Sequence, residues 1–501
     1  MAAAALVVGG VVAAILPRAL VGVFYDDGIY LALAKSLAQG TGYRLLYLPG
    51  APAAVHYPFG YPAFLALLWT VWPHFPDNVT LLRASNAVLM GVFAALAVGY
   101  LAKRLGPPRW VTALVVVAAA TAVPLLAVAT LLFSEPLFLV LAAGACWAAD
   151  AARTRAAAGR DRGALGLAVA AGLLAGAAAL TRSIGVAVIA GVAVSLALSL
   201  RPRLAAAAAI PAALVLGPWL VWAAAHHGGV DPATASNYGT YGDFLRQGGS
   251  RWISPASLGD MGRPLAAVFL PPVGGPLRVL LALPVLAVLA AGMAVLARRA
   301  PAAGWMLWAY VPIVALWPYG PDRFLWGVLP WLAVAFVAGV HALAMRAAPR
   351  RGSRAVAVAA ALIVGAGFGT FQVLGFARGG ATSAQVSISA AMTEVLPWIR
   401  TATDTSAVIA GEDEALIWLY TGRRAVPSFL WRVRGRAAES FGPDTLFAYL
   451  ERSGATHLVL TGLGAEAAPT VDALLAQRPG YLQLVQVWPG PRYAFRIRRG
   501  G

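Results

Sequence analysis

The chain has 501 residues, of which 60% are hydrophobic and only 12% charged, with a formal net charge of +18. Globular domains carry roughly 25% charged residues, so half that density together with recurring apolar runs near 20 residues excludes an ordinary soluble enzyme. Sparse charge excludes disorder, and the lack of heptads or longer periods excludes coiled-coil and repeat arrays.

In chain order, apolar segments of spanning length lie at about residues 3–23, 80–101, 111–131, 134–150, 164–181, 183–200, 204–225, 277–297, 302–319, 323–345 and 355–376. The first lacks a basic leading region and a clear small-residue cleavage site before Tyr25, which favours an uncleaved helix over a signal peptide. About eleven transmembrane helices are therefore expected. Lone Cys146 lies within an apolar run, which rules out an intrachain disulfide and predicts a buried thiol.

The basic excess sits between the apolar runs, so it reports topology and gives no reason to expect a nucleic-acid partner. Alternate loops hold Lys103, Arg104 and Arg109; Arg153, Arg155, Arg160 and Arg162; Arg201 and Arg203; Arg298 and Arg299; and Arg346, Arg350, Arg351 and Arg354. Positive side chains are retained on the cytoplasmic side during insertion. The N-terminus is then inside, and the loops 24–79 and 226–276, with everything after about 377, are outside. Among acidic residues of the membrane part, Asp26, Asp27, Asp77, Glu135, Asp231, Asp243, Asp260 and Asp322 map outside, and Asp150 and Asp161 inside. Chemistry is thus expected on the outer face of a plasma (inner) membrane protein.

The last 120 residues hold ten of the twenty acidic residues. Short apolar strands at 407–410 and 456–461 alternate with polar helical stretches, and strands at 482–488 and 493–498 flank a Pro-Gly-Pro turn. The expected architecture is a polytopic α-helical membrane domain over 1–380 followed by a soluble α/β domain over 381–501 on the outer face.

The first outer loop begins Tyr25-Asp26-Asp27-Gly28-Ile29-Tyr30. Two adjacent carboxylates at the exit of a membrane helix suit an interfacial anchor, a helix N-cap or a functional site. Further along come Gly40-Thr41-Gly42-Tyr43, then His56-Tyr57-Pro58-Phe59-Gly60-Tyr61-Pro62, Ser134-Glu135-Pro136-Leu137-Phe138 and Leu180-Thr181-Arg182. This order, over roughly residues 20–330, resembles the GT-C superfamily of membrane glycosyltransferases. It is most similar to the protein O-mannosyltransferase and lipid A aminoarabinose transferase branch.

That resemblance implies a polyprenyl-phosphate sugar as donor, mannose by analogy, and a lipid, glycan or protein acceptor. It also implies catalysis without a cofactor, by an acidic base in the first outer loop. Asp26 matches the base. The family commonly carries Asp-Glu where this chain has Asp26-Asp27, so the part played by Asp27 stays open. Transfer to a hydroxyl needs a base within hydrogen-bond reach of the acceptor proton, and the departing phosphate needs Arg or a metal.

Arg182 and Arg323 fall at outer helix ends, where either phosphate binding or snorkelling to headgroups accounts for them. Arg323, ahead of the apolar run ending Leu329-Pro330, also resembles a basic residue of the family. Glu135, with few polar neighbours, should face a cavity, positioning the acceptor, pairing with Arg182, or joining Asp26 at a divalent cation. His226-His227 with Asp231 lacks the spaced partner set of a zinc site and reads as an interfacial pair. The resemblance puts His56 on the acceptor side, with loop packing as the alternative. Tyr57, Tyr61 and Trp69 suit an interfacial aromatic belt or stacking on a sugar. Loop 226–276, with Asn237, Tyr238, Tyr241, Asp243, Arg246 and Arg251, reads as a mobile cover. A transporter of a lipid-linked sugar and a non-catalytic glycan-binding relative are the alternative functions.

Overall fold

The computed structural model describes all residues except 106, 249–254, 271–274, 318–319, 348–350, 435–436, 463–465 and 500–501. Arg251 and Arg350 lie outside the described residues, as do the side chains of Arg351 and Arg354. The chain folds into two compact units. Met1–Leu16, Arg83–Trp219 and Trp252–Thr382 form the first, and Pro17–Leu82, Leu220–Arg251 and Ser383–Gly501 form the second. One break falls at 382/383, and segments 17–82 and 220–251 join residues 383–501 in the second unit.

The first unit is helical. Each expected apolar segment contains a helix, and among the described residues six helices are long and apolar enough to cross a membrane, or seven if a bent pair counts as one span. Shorter apolar helices include Ala2–Ala14, Ser183–Ala197 and Pro301–Leu316. The first helix stops at Ala14 instead of running to 23, because Pro17 removes a backbone donor from the next turn. The segment expected at 111–131 is broken into Arg109–Ala120 and Val123–Ala129, bent by 58°. Pro124 opens the second piece, and the buried Asn86 amide donates to the Ala129 and Leu131 carbonyls near its end.

Small residues let these helices pack backbone to backbone, as is usual where lipid gives no hydrophobic drive for helices to associate. A Cβ at Gly172 would lie 2.0 Å from the Ala208 carbonyl oxygen, and one at Gly292 would lie 1.7 Å from that of Ala335. Cys146 is buried and unpaired. Asp150 lies inside the longer helix Glu135–Ala157, buried, not in a loop. It accepts hydrogen bonds from the Tyr100 and Ser195 hydroxyls and the Ala302 N–H. The last of these caps the helix Pro301–Leu316, so this carboxylate is a structural tie.

The second unit contains a mixed sheet. Its strands are β1 (Val408–Gly411), β2 (Arg424–Pro427), β5 (His457–Leu460), β6 (Leu482–Trp488) and β7 (Arg492–Ile497), in the order β2-β1-β5-β7-β6. β3 (Trp431–Arg434) and β4 (Ala437–Ser440) form a separate hairpin. β1 pairs in parallel with β2 and β5, while β7 is antiparallel to β5 and β6. The helix Glu414–Thr421 connects β1 to β2, as a parallel pair requires a crossover. The expected strands and the terminal hairpin about Pro489-Gly490-Pro491 are present at the expected places.

The helices Asp26–Ala38 and Gly60–Val71 belong to this unit, together with Ala235–Tyr238 and Tyr241–Gly248. The described part of 226–276 is thus largely helical. Tyr57, Tyr61 and Trp69 are buried. They pack inside the unit instead of forming an exposed belt, with Trp69 stacked on Phe75.

Candidate active site

In the second unit the chain turns sharply before the Asp26–Ala38 helix. Tyr25 has φ 60° and ψ −71°, and the Asp26 N–H donates to the Phe24 carbonyl at 2.6 Å. This is the three-residue turn of positive φ, rare and strained for a residue with a side chain. It is held from both sides. The Gly22 and Phe24 N–H groups donate to the Asp27 carboxylate at 2.8 and 3.0 Å. The Ser389 and Tyr420 hydroxyls accept from the Leu20 and Val21 N–H groups.

Gly28 completes the motif for a steric reason. A Cβ there would meet the Gly22 Cα at 2.9 Å and the Ala415 Cβ at 3.2 Å. Gly22 itself has φ +93°, a conformation that favours glycine. The Asp-Asp-Gly run therefore divides its labour. Asp27 is fully buried and engaged with backbone, Gly28 permits close packing on the helix Glu414–Thr421, and Asp26 is left half-buried.

The Tyr57 hydroxyl donates to Asp26 Oδ1 at 2.7 Å. Burial, followed by the Asp26 charge, raises the Tyr57 pKa well above its ordinary value, so the phenol stays a donor. Tyr30 packs edge-on against both Tyr57 and Tyr61, with ring centroids 5.2 and 5.1 Å apart. Tyr61 is fully buried and packs against Tyr30. His56 packs against Tyr57 and stacks on Tyr241. Its Nδ1 lies 2.8 Å from the Gly239 carbonyl oxygen, so Nδ1 carries the proton and Nε2 is the acceptor of the neutral ring. Burial lowers the His56 pKa against the opposing pull of that carbonyl and Asp26, which keeps the ring neutral near pH 7.

The first unit carries a second cluster. Glu135 opens the helix Glu135–Ala157 with Pro136 behind it, where a carboxylate is favoured by the helix dipole. Arg182 follows the last residue of Asp161–Thr181, where a cation is favoured for the converse reason. Arg182 Nη1 lies 2.6 Å and Arg323 Nε 2.8 Å from the same Glu135 oxygen. Arg182 also donates to Ser134 Oγ at 3.1 Å, and the Arg323 guanidinium lies 3.6 Å from the Phe133 ring centroid. Glu135 is 1% exposed, Arg182 10% and Arg323 29%. Two guanidinium groups thus share one buried carboxylate, and Arg323 is partly open. Of the three roles weighed for Glu135, pairing with Arg182 is observed, and Arg323 joins the pair.

Among the described residues no three His, Cys, Asp or Glu side chains gather at metal-binding spacing. His226 stacks on Trp222 with centroids 3.9 Å apart, and both its Nδ1 and that of His227 face backbone carbonyls. Asp231 is held by Arg452 through two bonds. A cavity of about 480 Å³, lined by Arg18, Leu20, Val386 and Tyr420 among others, holds none of the predicted site residues.

Two buried acids escaped the sequence reading. Burial, with the charges of Asp27 and Glu412, pushes the Asp413 carboxyl up to about 8, and burial pushes Glu414 up to about 8. Their signal was three consecutive acids, Glu412-Asp413-Glu414, directly before an apolar helix.

No protein-family model matches the chain, and no curated protein is significantly similar to it. Solved structures are. Apo ArnT from Cupriavidus metallidurans superposes with a TM-score of 0.55 at 15% identity, over 97% of this chain and 96% of that one. The same protein bound to undecaprenyl phosphate gives 0.54 at 16% identity, over 99% and 96%. The archaeal oligosaccharyltransferase AglB from Archaeoglobus fulgidus, in complex with an inhibitory peptide and a dolichol-phosphate, gives 0.54 at 13% identity, over 91% and 69%. With its set of apolar helices and its small C-terminal sheet, the chain is a multi-pass membrane protein with the GT-C fold.

Proposed function

We propose that the protein is a glycosyltransferase that moves a sugar from a polyprenyl-phosphate carrier to a hydroxyl of an acceptor on the outer face of the membrane. Asp26 is its base. The observation that carries this reading is the isolation of Asp26 from its neighbour. A strained turn presents it half-exposed, one oxygen is held by Tyr57, and Asp27 takes the structural work of the same loop. The fold likeness supports the donor class, since the solved relatives carry undecaprenyl phosphate and dolichol-phosphate.

In the step proposed, Asp26 accepts the proton of the acceptor hydroxyl as that oxygen attacks the anomeric carbon with inversion. The bond from that carbon to the phosphate oxygen breaks, and its electron pair leaves with the polyprenyl phosphate. Arg182 and Arg323, in the first unit, are suited to bind a phosphate, because guanidinium groups match its geometry and charge. Glu135 then positions the two arginines, Tyr57 orients Asp26, and His56 serves the acceptor side through Nε2. Eleven crossings with the N-terminus inside, as the Arg and Lys asymmetry directs, put residues 24–79 on the outer side.

A radiolabelled polyprenyl-phosphate mannose, given to purified protein in vesicles with envelope lipid and peptide acceptors, tests the reading. Transfer of label is expected in the native chain. Asp26→Asn should lower turnover by about 10² or more while inserting normally. Label that only crosses the bilayer would replace this reading with a transporter, and near-native turnover by Asp26→Asn would remove Asp26 from catalysis.

A further inference from the structure

Asn237 stands 212 residues from Tyr25 in sequence, yet its side-chain amide donates to the Tyr25 hydroxyl at 2.8 Å. Two residues on, the Gly239 carbonyl faces His56 Nδ1 at 2.8 Å, and Tyr241 stacks on the His56 ring with centroids 4.8 Å apart. One short stretch of the second unit therefore reaches both the turn that carries Asp26 and the histidine beside Tyr57.

The foot of this stretch is fixed. Asp231 Oδ1 accepts from the Ala233 N–H at 2.9 Å and starts the turn Pro232–Thr234. Arg452, in the helix Pro443–Ser453, holds the same carboxylate at 3.0 and 3.2 Å. The short helix Ala235–Tyr238 follows and stops at Gly239, where a Cβ would lie 2.5 Å from the Ala235 carbonyl oxygen. Asn237 is 7% exposed, so water offers its amide little to bond in place of the phenol.

Tyr25 is a residue that needs such a hold. Its backbone has φ 60° and ψ −71°, and strain of that kind persists only where the surroundings over-determine it. Asp27 holds the backbone on the side of Gly22 and Phe24, and the side chain is held at its far end. There the phenol oxygen accepts from Asn237 while the hydroxyl faces Glu414, so its acceptor and donor capacities are both used. Swinging the Tyr25 ring would rotate the backbone directly before Asp26. A base displaced by about 1 Å loses about 10²-fold in rate.

We propose that Asn237 is a positioning residue, whose bond to the Tyr25 hydroxyl fixes the strained turn and so sets where Asp26 meets the acceptor hydroxyl. Its effect on catalysis rests on the transferase reading above; its hold on the turn does not. The Asn237 side-chain oxygen has no hydrogen-bond partner among the described residues. A leucine there, similar in shape, removes one bond and one unpaired buried oxygen together. Those two changes oppose each other in stability, which leaves the position of the turn as the property altered.

Two measurements on the full chain in lipid nanodiscs test this. The first is spin-label EPR at Phe24→Cys in a Cys146→Ala background, Phe24 being 36% exposed beside the turn. The label should be restricted in the otherwise native chain and gain motion in Asn237→Leu and Tyr25→Phe. Tyr238→Phe, which removes a hydroxyl without a partner, should leave the spectrum unchanged. The second is transfer from polyprenyl-phosphate mannose. Asn237→Leu and Tyr25→Phe should each lower kcat about 10- to 100-fold with KM within about twofold and, for Asn237→Leu, with the native thermal midpoint. The double variant should fall no further than Tyr25→Phe alone, because both changes remove one bond. An unchanged label spectrum, near-native kcat in Asn237→Leu, a raised KM at native kcat, multiplying losses in the double variant, or a midpoint that falls with kcat in Asn237→Leu overturns the proposal. If the label responds but the native chain turns over no donor, the transferase reading falls and the hold on the turn stands.

Discussion

Asp26 and Asp27 are the same side chain one residue apart, yet their surroundings give them different work. Asp27 faces inward and accepts two backbone N–H groups, and Asp26 faces a phenol. Replacing each by Ala separates them. Asp27→Ala strands two N–H groups and should lose about 1 to 3 kcal/mol for each that finds no other partner, seen as a depressed thermal midpoint. Asp26→Ala strands the Tyr57 hydroxyl and should lower that midpoint less, while abolishing transfer. Equal destabilisation by both would deny Asp27 its clamp. Glu414 makes a prediction of opposite sign. Its folded pKa of about 8 lies above its ordinary 4.5, so folding resists its ionisation. The resulting penalty is absent below about pH 4.5, grows as pH rises and is complete above about 8. Tyr25, Tyr47 and Tyr449 face it and supply no cation. Glu414→Gln should therefore stabilise the chain by a few kcal/mol, on the order of one per pH unit crossed, at pH 8 and not at pH 4.5. Melting curves at the two values decide this.

Among the structural elements, the motif glycine matters as much as the acids. The start of the Asp26–Ala38 helix approaches Gly22 on one side and Ala415 on the other. Gly28→Ala should therefore force these backbones apart and cost about 1 to 3 kcal/mol, with a drop in activity because Asp26 sits two residues away. Ala415→Gly in the same chain should recover part of the loss by clearing one of the two contacts. A Gly28→Ala protein with native stability would show that the turn yields freely. The helices themselves were legible in the sequence, since an apolar run of spanning length is a local property. Their ends were less so. Pro17 and Pro124 shorten or bend helices at places where hydropathy alone runs on, because a missing N–H weighs nothing on a hydropathy scale.

In the whole molecule, the C-terminal residues are built into one compact unit with the loop that carries Asp26. The Tyr420 hydroxyl, Ser389, Leu416 and Ala415 all touch the segment 20–28. A chain ending at Thr382 should therefore lose order in that loop, with rapid proteolysis near Tyr25 and no transfer. Resistance of the loop to protease, with acceptor choice unchanged, would reduce the C-terminal part to an appendage.

By itself the sequence determined the class of the protein, the positions of its apolar helices, the strands of its last 120 residues and the motif around Asp26. Each of these is written in short-range patterns of hydropathy, turn residues and spacing. Tertiary structure alone decided which of two adjacent carboxylates clamps the turn, that Glu135 binds two arginines 47 and 188 residues away, and that Glu414 lies beside Tyr25 and Tyr47. Those are contacts between distant segments, where burial and charge act through space, and no local pattern encodes which buried group will meet which.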